Sequence, residues 1–442
     1  MEKARESLIE NSEYKPVLKR ITVFAGGGAV IDGYILTIIG IALLQITPDL
    51  NMDVNWSGII GSSALLGILI GGLFFGYITD LFGRRLMYTI DLVAMVLFSV
   101  AQMFISSPLE LAACRFLIGI AIGADYPIAN AMLTEFTPKK YRGFMTGSLV
   151  SVWYVGAILA SIVGYVLLIL GPHNWRWMLG SSAILALIML MGRWDTPESP
   201  RWLMSKGRTE EARRIVKNIW GEEADLEDLE EICNVKTDVG KIFQGVYLKR
   251  LIFVSVFWTC QVIPCFTLYT FGPQILSALN MGEGNKWIWG YMILNIFFFI
   301  GCIPALKWVE SVGRRPLLIR SYVFMALSLL VLGIVSNAPA TVVIICFAAY
   351  AFASGGPTVL DGVYPSELFP TDIRASAYGV ATAVSRLGAA IGTYLLPLSI
   401  QKLGIETTMI IATVITSFGL IVSIAWAPET RGKTLKETSS VV

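Results

Sequence analysis

The chain has 442 residues, of which 55 % are hydrophobic and only 15 % charged, with a formal net charge of +2. That mixture cannot clothe a soluble surface, so lipid must act as the solvent, and so small a net charge excludes nucleic acid as a natural partner. A single histidine and six cysteines (Cys114, Cys233, Cys260, Cys265, Cys302, Cys346) without metal-ligand spacing leave no metal centre; the cysteines read as reduced packing residues.

In chain order, Met1 to Arg20 is polar and mixed in charge, with no short apolar core before a small-residue cleavage site, so no removable leader is expected. Twelve apolar runs follow, near the length a helix needs to cross a bilayer: 21–47, 57–78, 86–106, 109–132, 144–170, 177–194, 249–277, 287–308, 317–336, 339–362, 375–400 and 405–427. His173, in the Gly-Pro-His-Asn loop before the sixth run, reads as solvated, with pH sensing as the alternative. The widest polar break carries Arg201, Lys206, Arg208, Arg213, Arg214 and an acidic run from Glu222 to Glu231; it reads as short amphipathic surface helices. The predicted organisation is a six-helix bundle over 1–194, a linker over 195–248, and a second six-helix bundle with a short tail over 249–442. If the N-terminus is cytoplasmic, the outer loops hold only Arg176, Lys286 and Lys402. Positive-inside therefore puts both termini in the cytoplasm of a multi-pass protein of the cell (plasma or inner) membrane.

Three motifs recur at one spacing. Asp80-Leu-Phe-Gly83-Arg84-Arg85 returns as Glu310-Ser-Val-Gly313-Arg314-Arg315, an offset of 230 residues. Glu135-Phe-Thr-Pro138 with Arg142 returns as Glu367-Leu-Phe-Pro370 with Arg374, and Pro197-Glu198-Ser199 as Pro428-Glu429-Thr430, at offsets of 232 and 231. A near-constant offset across half a chain means duplication. Every copy lies at a cytoplasmic helix end, where pairs of acids and arginines, Arg201 included, suit a separable conformational latch better than an active site. The alternative, that Arg84, Arg85, Arg314 and Arg315 merely obey positive-inside, explains the charge but not the repeated Gly-Arg-Arg with its upstream acid.

On these residues the chain resembles the major facilitator superfamily over essentially its full length. Gly76-Tyr-Ile-Thr-Asp80-Leu-Phe-Gly83-Arg84-Arg85 is similar to the superfamily's loop 2–3 signature. Pro197-Glu-Ser-Pro-Arg201-Trp-Leu203, Pro428-Glu-Thr-Arg-Gly-Lys433 and Tyr364-Pro-Ser-Glu367-Leu-Phe-Pro370 are similar to motifs of sugar porters and related metabolite porters. The resemblance implies an all-α fold of two pseudo-symmetric six-helix bundles that rock in alternating access, with the latches holding one state closed. In sugar porters helix 7 carries paired glutamines and an asparagine, helix 5 a glutamine and helix 10 a tryptophan. Here Gln261 keeps one glutamine, Phe266 and Leu360 replace the asparagine and tryptophan, and helix 5 has no glutamine. Gly123-Ala-Asp125-Tyr126-Pro127 and Asp32-Gly33-Tyr34 instead resemble proton-coupled porters of organic acids, phosphate and other small metabolites, with Ile35 where a second acid often stands.

Charge inside the bilayer is costly, so each such residue needs a partner or a purpose. Asp32 lies eleven residues past the start of the first run and Asp125 ten before Glu135, depths of about 16 and 15 Å. They are the expected proton-coupling pair, with Arg115, nearer the outer face, biasing the local field; the alternative is that they satisfy backbone at the glycine-rich bends Gly26 to Gly28 and Gly119 to Gly123. Asp91, five residues into the third helix, reads as interfacial. Arg386 falls near mid-membrane with no acid at its depth in helices 7, 8 or 10, which points to a carboxylate-bearing substrate; pairing with Asp361 or with helix carbonyls is the alternative. Asp361 itself lies near the inner mouth. Tyr34, Tyr126, Trp153, Tyr154, Trp258, Gln261, Tyr269, Gln274 and Asn295 are the remaining candidate pocket residues, with helix packing as the other reading.

Asp32, Arg115, Asp125 and Arg386 fall opposite Ile263, Cys346, Gly356 and Val155 at the repeat offset, so the halves divide the chemistry. A secondary transporter is the expected class: a monomer binding a small solute and protons, without cofactor or metal. Neither a phosphate-binding Gly-rich loop nor a nucleophile cluster points to ATP hydrolysis or an enzyme. An organic acid leads as substrate, with a neutral sugar or polyol, an organic cation, or a non-transporting nutrient sensor as alternatives.

Overall fold

The computed structural model describes residues 16–136, 139–194, 196–226, 239–282, 286–335, 337–370, 373–433 and 437–438. Cys233, the acidic run beyond residue 226, and the side chains of Asp80, Glu135 and Arg142, three expected latch residues, lie outside the described set.

Six long helices come first: α1 (Pro16–Asp49), α2 (Val54–Phe82), α3 (Arg84–Ala101), α4 (Pro108–Phe136), α5 (Lys139–Ile169) and α6 (Trp175–Arg193). Two short ones follow, α7 (Pro200–Ser205) and α8 (Thr209–Trp220), and then α9 (Gly245–Leu276), α10 (Lys286–Ser311), α11 (Arg314–Ile334), α12 (Ala340–Leu368) and α13 (Arg374–Trp426). α13 is two membrane helices end to end: Gly404, at φ 84 and ψ 165, breaks it between the two last expected spans. Among the described residues ten helices, α13 counted once, are long and apolar enough to cross a membrane; α3 is not among them because Arg84, Arg85 and Asp91 crowd its 18 residues. With the break in α13 and with α3, the twelve expected crossings are present.

Small residues set the helix crossings, as packing between helices in lipid requires. A Cβ on Gly71 would sit 2.2 Å from the Ile120 carbonyl oxygen and one on Gly123 2.4 Å from that of Ile68, so α2 and α4 meet backbone to backbone. In the second half a Cβ on Gly301 would sit 2.3 Å from the Phe352 carbonyl oxygen, and Gly355 faces Gly301 directly, which locks α10 against α12. Gly71 and Gly123 precede Gly301 and Gly355 by 230 and 232 residues, so the duplication reaches beyond the charged motifs to the crossings themselves. Gly119 and Gly123, whose bend was the alternative account of Asp125, serve as helix contacts against Ala64 and Ile68.

The motif turns are also duplicated, but they are built differently from the expected acid–arginine side-chain pairs. Gly83 and Gly313 both stand at φ 105, where a side chain is strained. Glu198 accepts the backbone N–H groups of Arg84 (2.9 Å) and Arg85 (3.1 Å); Glu429 accepts those of Arg314 and Arg315, both at 3.1 Å. Each glutamate thus caps a helix N-terminus, where free amides and the helix dipole favour an anion. Arg85 donates to the Trp194 carbonyl and Arg315 to that of Ile424, at the C-terminal ends of α6 and α13, so each turn staples helix ends of its own half. An acid–arginine network is described in the second half, where Arg314 bridges Glu310 (2.8 Å) and Glu367 (2.7 Å), while Arg374 donates to the Phe369 carbonyl and not to an acid. Arg201 is the second residue of the short α7, two residues after its N-cap Ser199.

In the polar middle segment, α8 presents Val216, Ile219 and Trp220 to Leu18, Tyr88, Met132 and Phe136 of the first half, with Trp220 stacked on Phe136. Its outer face is laced by Arg213 to Glu210 and Asp225. The Leu226 amide and Arg213 together hold the Asp225 carboxyl below the usual range.

Candidate functional site

Two groups of polar residues stand inside the bundles. The first is built on α1, α3, α4 and α6. Asp32, Asp91 and Asp125 are 0 %, 3 % and 1 % exposed, and all three surround one guanidinium, that of Arg193 at the last turn of α6. Arg193 Nη1 lies 3.1 Å from Asp125 and 3.9 Å from Asp91, Nε donates to the Phe24 carbonyl, and the guanidinium carbon sits 3.4 Å from the ring centre of Tyr88. Gly28 makes the approach possible: a Cβ there would meet Asp125 Oδ2 at 2.1 Å and Arg193 Nη2 at 2.6 Å. Asp125 thereby rests against α1 one helical turn from Asp32, whose two oxygens meet no hydrogen-bond donor among the described residues. The glycine run of α1, expected as a possible bend, is what lets the carboxyl in.

This arrangement brings Asp32 and Asp125 together as expected, leaves Arg115 in its expected place farther along α4, and departs from expectation at two places, Asp91 and Arg193. Asp91 is not interfacial but buried in the cluster, because the face of α3 that carries it packs on α4 and α6. Arg115, equally buried, donates Nη1 to the Ile35 carbonyl at 3.1 Å and lies ten residues along α4 from Asp125, roughly 15 Å away along the axis. Arg193 was missed. Its position at the end of a span reads as a boundary charge, and only the helical depth of three nearby acids lacking a counter-charge gives a signal for it.

The second group lies between the halves. Arg386 sits with its guanidinium carbon 5.0 Å from the ring centre of Phe266, and its Nε and Nη1 find no acceptor among the described residues. Asp361 and Tyr126 are within electrostatic reach of it, yet Asp361 Oδ1 also lacks a donor and no ion pair joins the two. Gln261 donates to Thr358 at 3.0 Å and leaves Oε1 without a donor, and Trp258 meets Tyr378 edge to face. Trp153, Tyr154, Tyr269 and Phe298 form one aromatic cluster, with the Tyr154 and Tyr269 hydroxyls 3.1 Å apart.

Other candidates are placed in packing positions. Tyr34 bonds Ser181 at 2.6 Å between α1 and α6, away from the second group. Asn295, fully buried, donates to Ser161 and to the Tyr291 carbonyl. Gln274 donates to the Gly40 carbonyl at 3.3 Å and lines a cavity of about 280 Å³ with Leu43, Thr47, Ser57 and Gln401, at the end of the bundle opposite the motif turns. Toward that far end the described hydrogen bonds between halves come from Gln274, Asn295 and Tyr291, and the Tyr154–Tyr269 hydroxyl pair adds one nearer mid-membrane. The Tyr291 hydroxyl also serves its own half: Pro273 removes the amide that would serve the Tyr269 carbonyl, and this hydroxyl takes its place at 2.6 Å. His173 is a surface residue, its ring 2.7 Å from Asp49. The five described cysteines are free.

Residues 21–441 match the family model described as sugar (and other) transporter. YaaU of Escherichia coli (strain K12), named for metabolite transport with no substrate given, is 45 % identical over 432 residues, covering 98 % of this chain and 97 % of its own. The inner membrane metabolite transport protein YgcS of the same organism is 36 % identical over 422 residues, covering 96 % and 94 %. Among solved structures, a partially occluded inward-open conformation of the xylose transporter XylE from E. coli superposes with a TM-score of 0.81 at 22 % identity, covering 95 % of this chain and all of that one, which speaks to the fold. The chain thus belongs to the sugar (and other) transporter family, a sugar-porter-like branch of the major facilitator superfamily, and is a membrane metabolite transporter, not an enzyme.

Proposed function

We propose that the chain is a proton-coupled symporter that takes up a small organic acid by alternating access, with the motif turns and both termini on the cytoplasmic side. The observation that carries the substrate class is Arg386, a half-buried guanidinium between the halves with two buried nitrogens, Nε and Nη1, unserved by any described acceptor. Such a group gains most from a carboxylate that can take two parallel hydrogen bonds. Tyr126 from the first half and Asp361 from the second flank it, so a bound acid would touch both halves and report its presence to the movement between them. Proton coupling falls to Asp32 and Asp125: buried acids one turn apart on facing helices cannot both be charged at low cost, and protonation neutralises the excess. Arg115, farther out on α4, biases the field they sit in. The gathering of inter-half bonds at the far end supports a state closed to the outside and facing the cytoplasm.

A neutral sugar or polyol is the second reading. It is favoured by the free Oε1 of Gln261 beside Thr358 and by XylE being a xylose transporter. Uptake into proteoliposomes under an imposed pH gradient separates the two, using lactate and gluconate against xylose and myo-inositol. The organic-acid reading expects gradient-driven uptake of an acid that Arg386→Ala abolishes and Arg386→Lys retains, and accumulation lost with exchange kept in Asp32→Asn. Full transport of a neutral sugar by Arg386→Ala overturns the substrate class, and uptake indifferent to the proton gradient overturns the coupling.

A further inference from the structure

Resting on the proton-coupled reading above and extending it, we infer that the proton site has four members, with Asp91 as a third proton-binding carboxyl and Arg193 as the one counter-charge that Asp32, Asp91 and Asp125 share. The titratable and charged groups that face Asp91 are Tyr88 from its own helix, Asp125 from α4 and Arg193 from α6, and Asp32 from α1 joins them through Asp125 and Arg193. Asp91 Oδ1 takes its neighbour Leu92's amide, while Oδ2 meets no donor among the described residues at 3.9 Å from Arg193. Arg193 is nearly inaccessible and is held in place by the Phe24 carbonyl and the Tyr88 ring, so its charge cannot be met by water.

Below the cluster, toward the motif end, Tyr88, Ala124, Ile128 and Met132 pack with Val216, Ile219 and Trp220 of α8 in one apolar layer, which keeps the site dry. Three carboxylates facing one guanidinium leave two negative charges with no partner. In a dry setting that excess is removed by binding protons, so the closed site holds two. Asp91 lies seven residues into α3 and Asp125 eleven residues before the end of α4, about 10 and 16 Å from the motif end. Of Asp91 and Asp125, Asp91 is thus the carboxyl nearer the cytoplasmic side. A proton moves between carboxyls by breaking the O–H bond of one and forming that of the next, while Arg193, fixed among them, stabilises the carboxylate left behind.

The test counts bound protons, with protons as the only ligand. Infrared difference spectra of the reconstituted full-length protein, taken between acid and alkaline pH, report the carbonyl stretch of protonated carboxyls per chain. Against wild type, Asp91→Asn loses one equivalent, Arg193→Gln gains one, and Asp91→Glu keeps the count but moves the band. An unchanged count in Asp91→Asn overturns the inference, as does an unmoved band in Asp91→Glu should the asparagine variant fail to fold. Asp32→Asn tells the two readings apart. A loss there with none in Asp91→Asn leaves the Asp32 and Asp125 pair standing without its extension; no loss there with one in Asp91→Asn removes Asp32 from the proton site and keeps Asp91.

Discussion

Gly40 of α1 lies where the two halves touch at the far end, and enlarging it should open that end. A Cβ there would sit 2.7 Å from the Thr270 carbonyl oxygen and 2.9 Å from that of Tyr269, against an ordinary contact beginning at 3.4 Å, so α1 and α9 must part by 0.7 Å for the first carbon alone. Carbonyl oxygens of a packed helix do not swing aside as a side-chain tip would. Gly40→Leu adds three more carbons to the same gap and strains the hydrogen bond from Gln274 to the Gly40 carbonyl. Overpacking of this kind costs about 1–3 kcal/mol. Borne only by the state in which the far end is closed, it shifts the two-state balance about 5- to 150-fold toward the open one. Pulsed electron paramagnetic resonance between nitroxides on the exposed positions 55 and 402, with the native cysteines replaced, reads this directly. The expected outcome is a longer-distance population that grows at the expense of the short one. An unchanged distribution in a folded Gly40→Leu protein would refute the reasoning, since the contact would then be no part of the closure.

Glu198→Ala and Glu429→Ala each remove the acceptor of a helix N-terminus and should cost about 0.5–2 kcal/mol, read as a lower thermal midpoint, with each glutamine variant recovering part of the loss. Gly83→Ala should destabilise through its φ of 105 and through a Cβ 2.5 Å from Glu198 Oε2, and the double variant with Glu198→Ala should cost less than the two singles together, because the clash goes with the carboxylate. Tyr291→Phe leaves the Tyr269 carbonyl without its donor at a cost of about 1–3 kcal/mol. Because the same hydroxyl reaches the Thr37 carbonyl across the halves, the nitroxide pair above should register partial opening in that variant.

The sequence made the crossings legible because apolar length is a one-dimensional signal. Even the break at Gly404 fell inside the expected gap between the last two spans. Asp32 beside Asp125 was legible for a similar reason: distance along a helix converts to depth, and equal depth on neighbouring helices brings residues together. Direction around the helix axis was not legible. Asp91 sits five residues into its expected span and was read by depth alone, whereas the face it occupies decides that it is buried. Tyr34 is a pocket candidate as an aromatic on a cavity-lining helix, but its hydroxyl bonds Ser181 on α6. The motif turns fall between these cases. Acid, glycine and paired arginines were seen to belong together, yet pattern alone does not distinguish a glutamate that grips a guanidinium from one that caps backbone amides.

The duplicated frame and the unduplicated charges fit one physical account. Gly71 with Gly123 and Gly301 with Gly355, like Glu198 and Glu429, serve backbone against backbone, and whatever both halves must do as rigid bodies they do with the same residues. Side-chain charge is under no such constraint. Where Arg193 reaches back from the end of α6 toward three acids, the residue at the repeat offset is Ile424, which offers only its carbonyl, to Arg315. The second half instead carries Arg386 and Asp361 toward the interface between the halves, unpaired with each other. Placing the acid cluster wholly within one half means that rocking does not pull it apart. On the function proposed above, what rocking changes is the access of water to it, and a site whose charge balance depends on being dry would bind and release protons when that access changes. A substrate held near Arg386 and Tyr126, as proposed, would span the moving interface and select when that happens, which would couple the two events without direct contact between solute and proton.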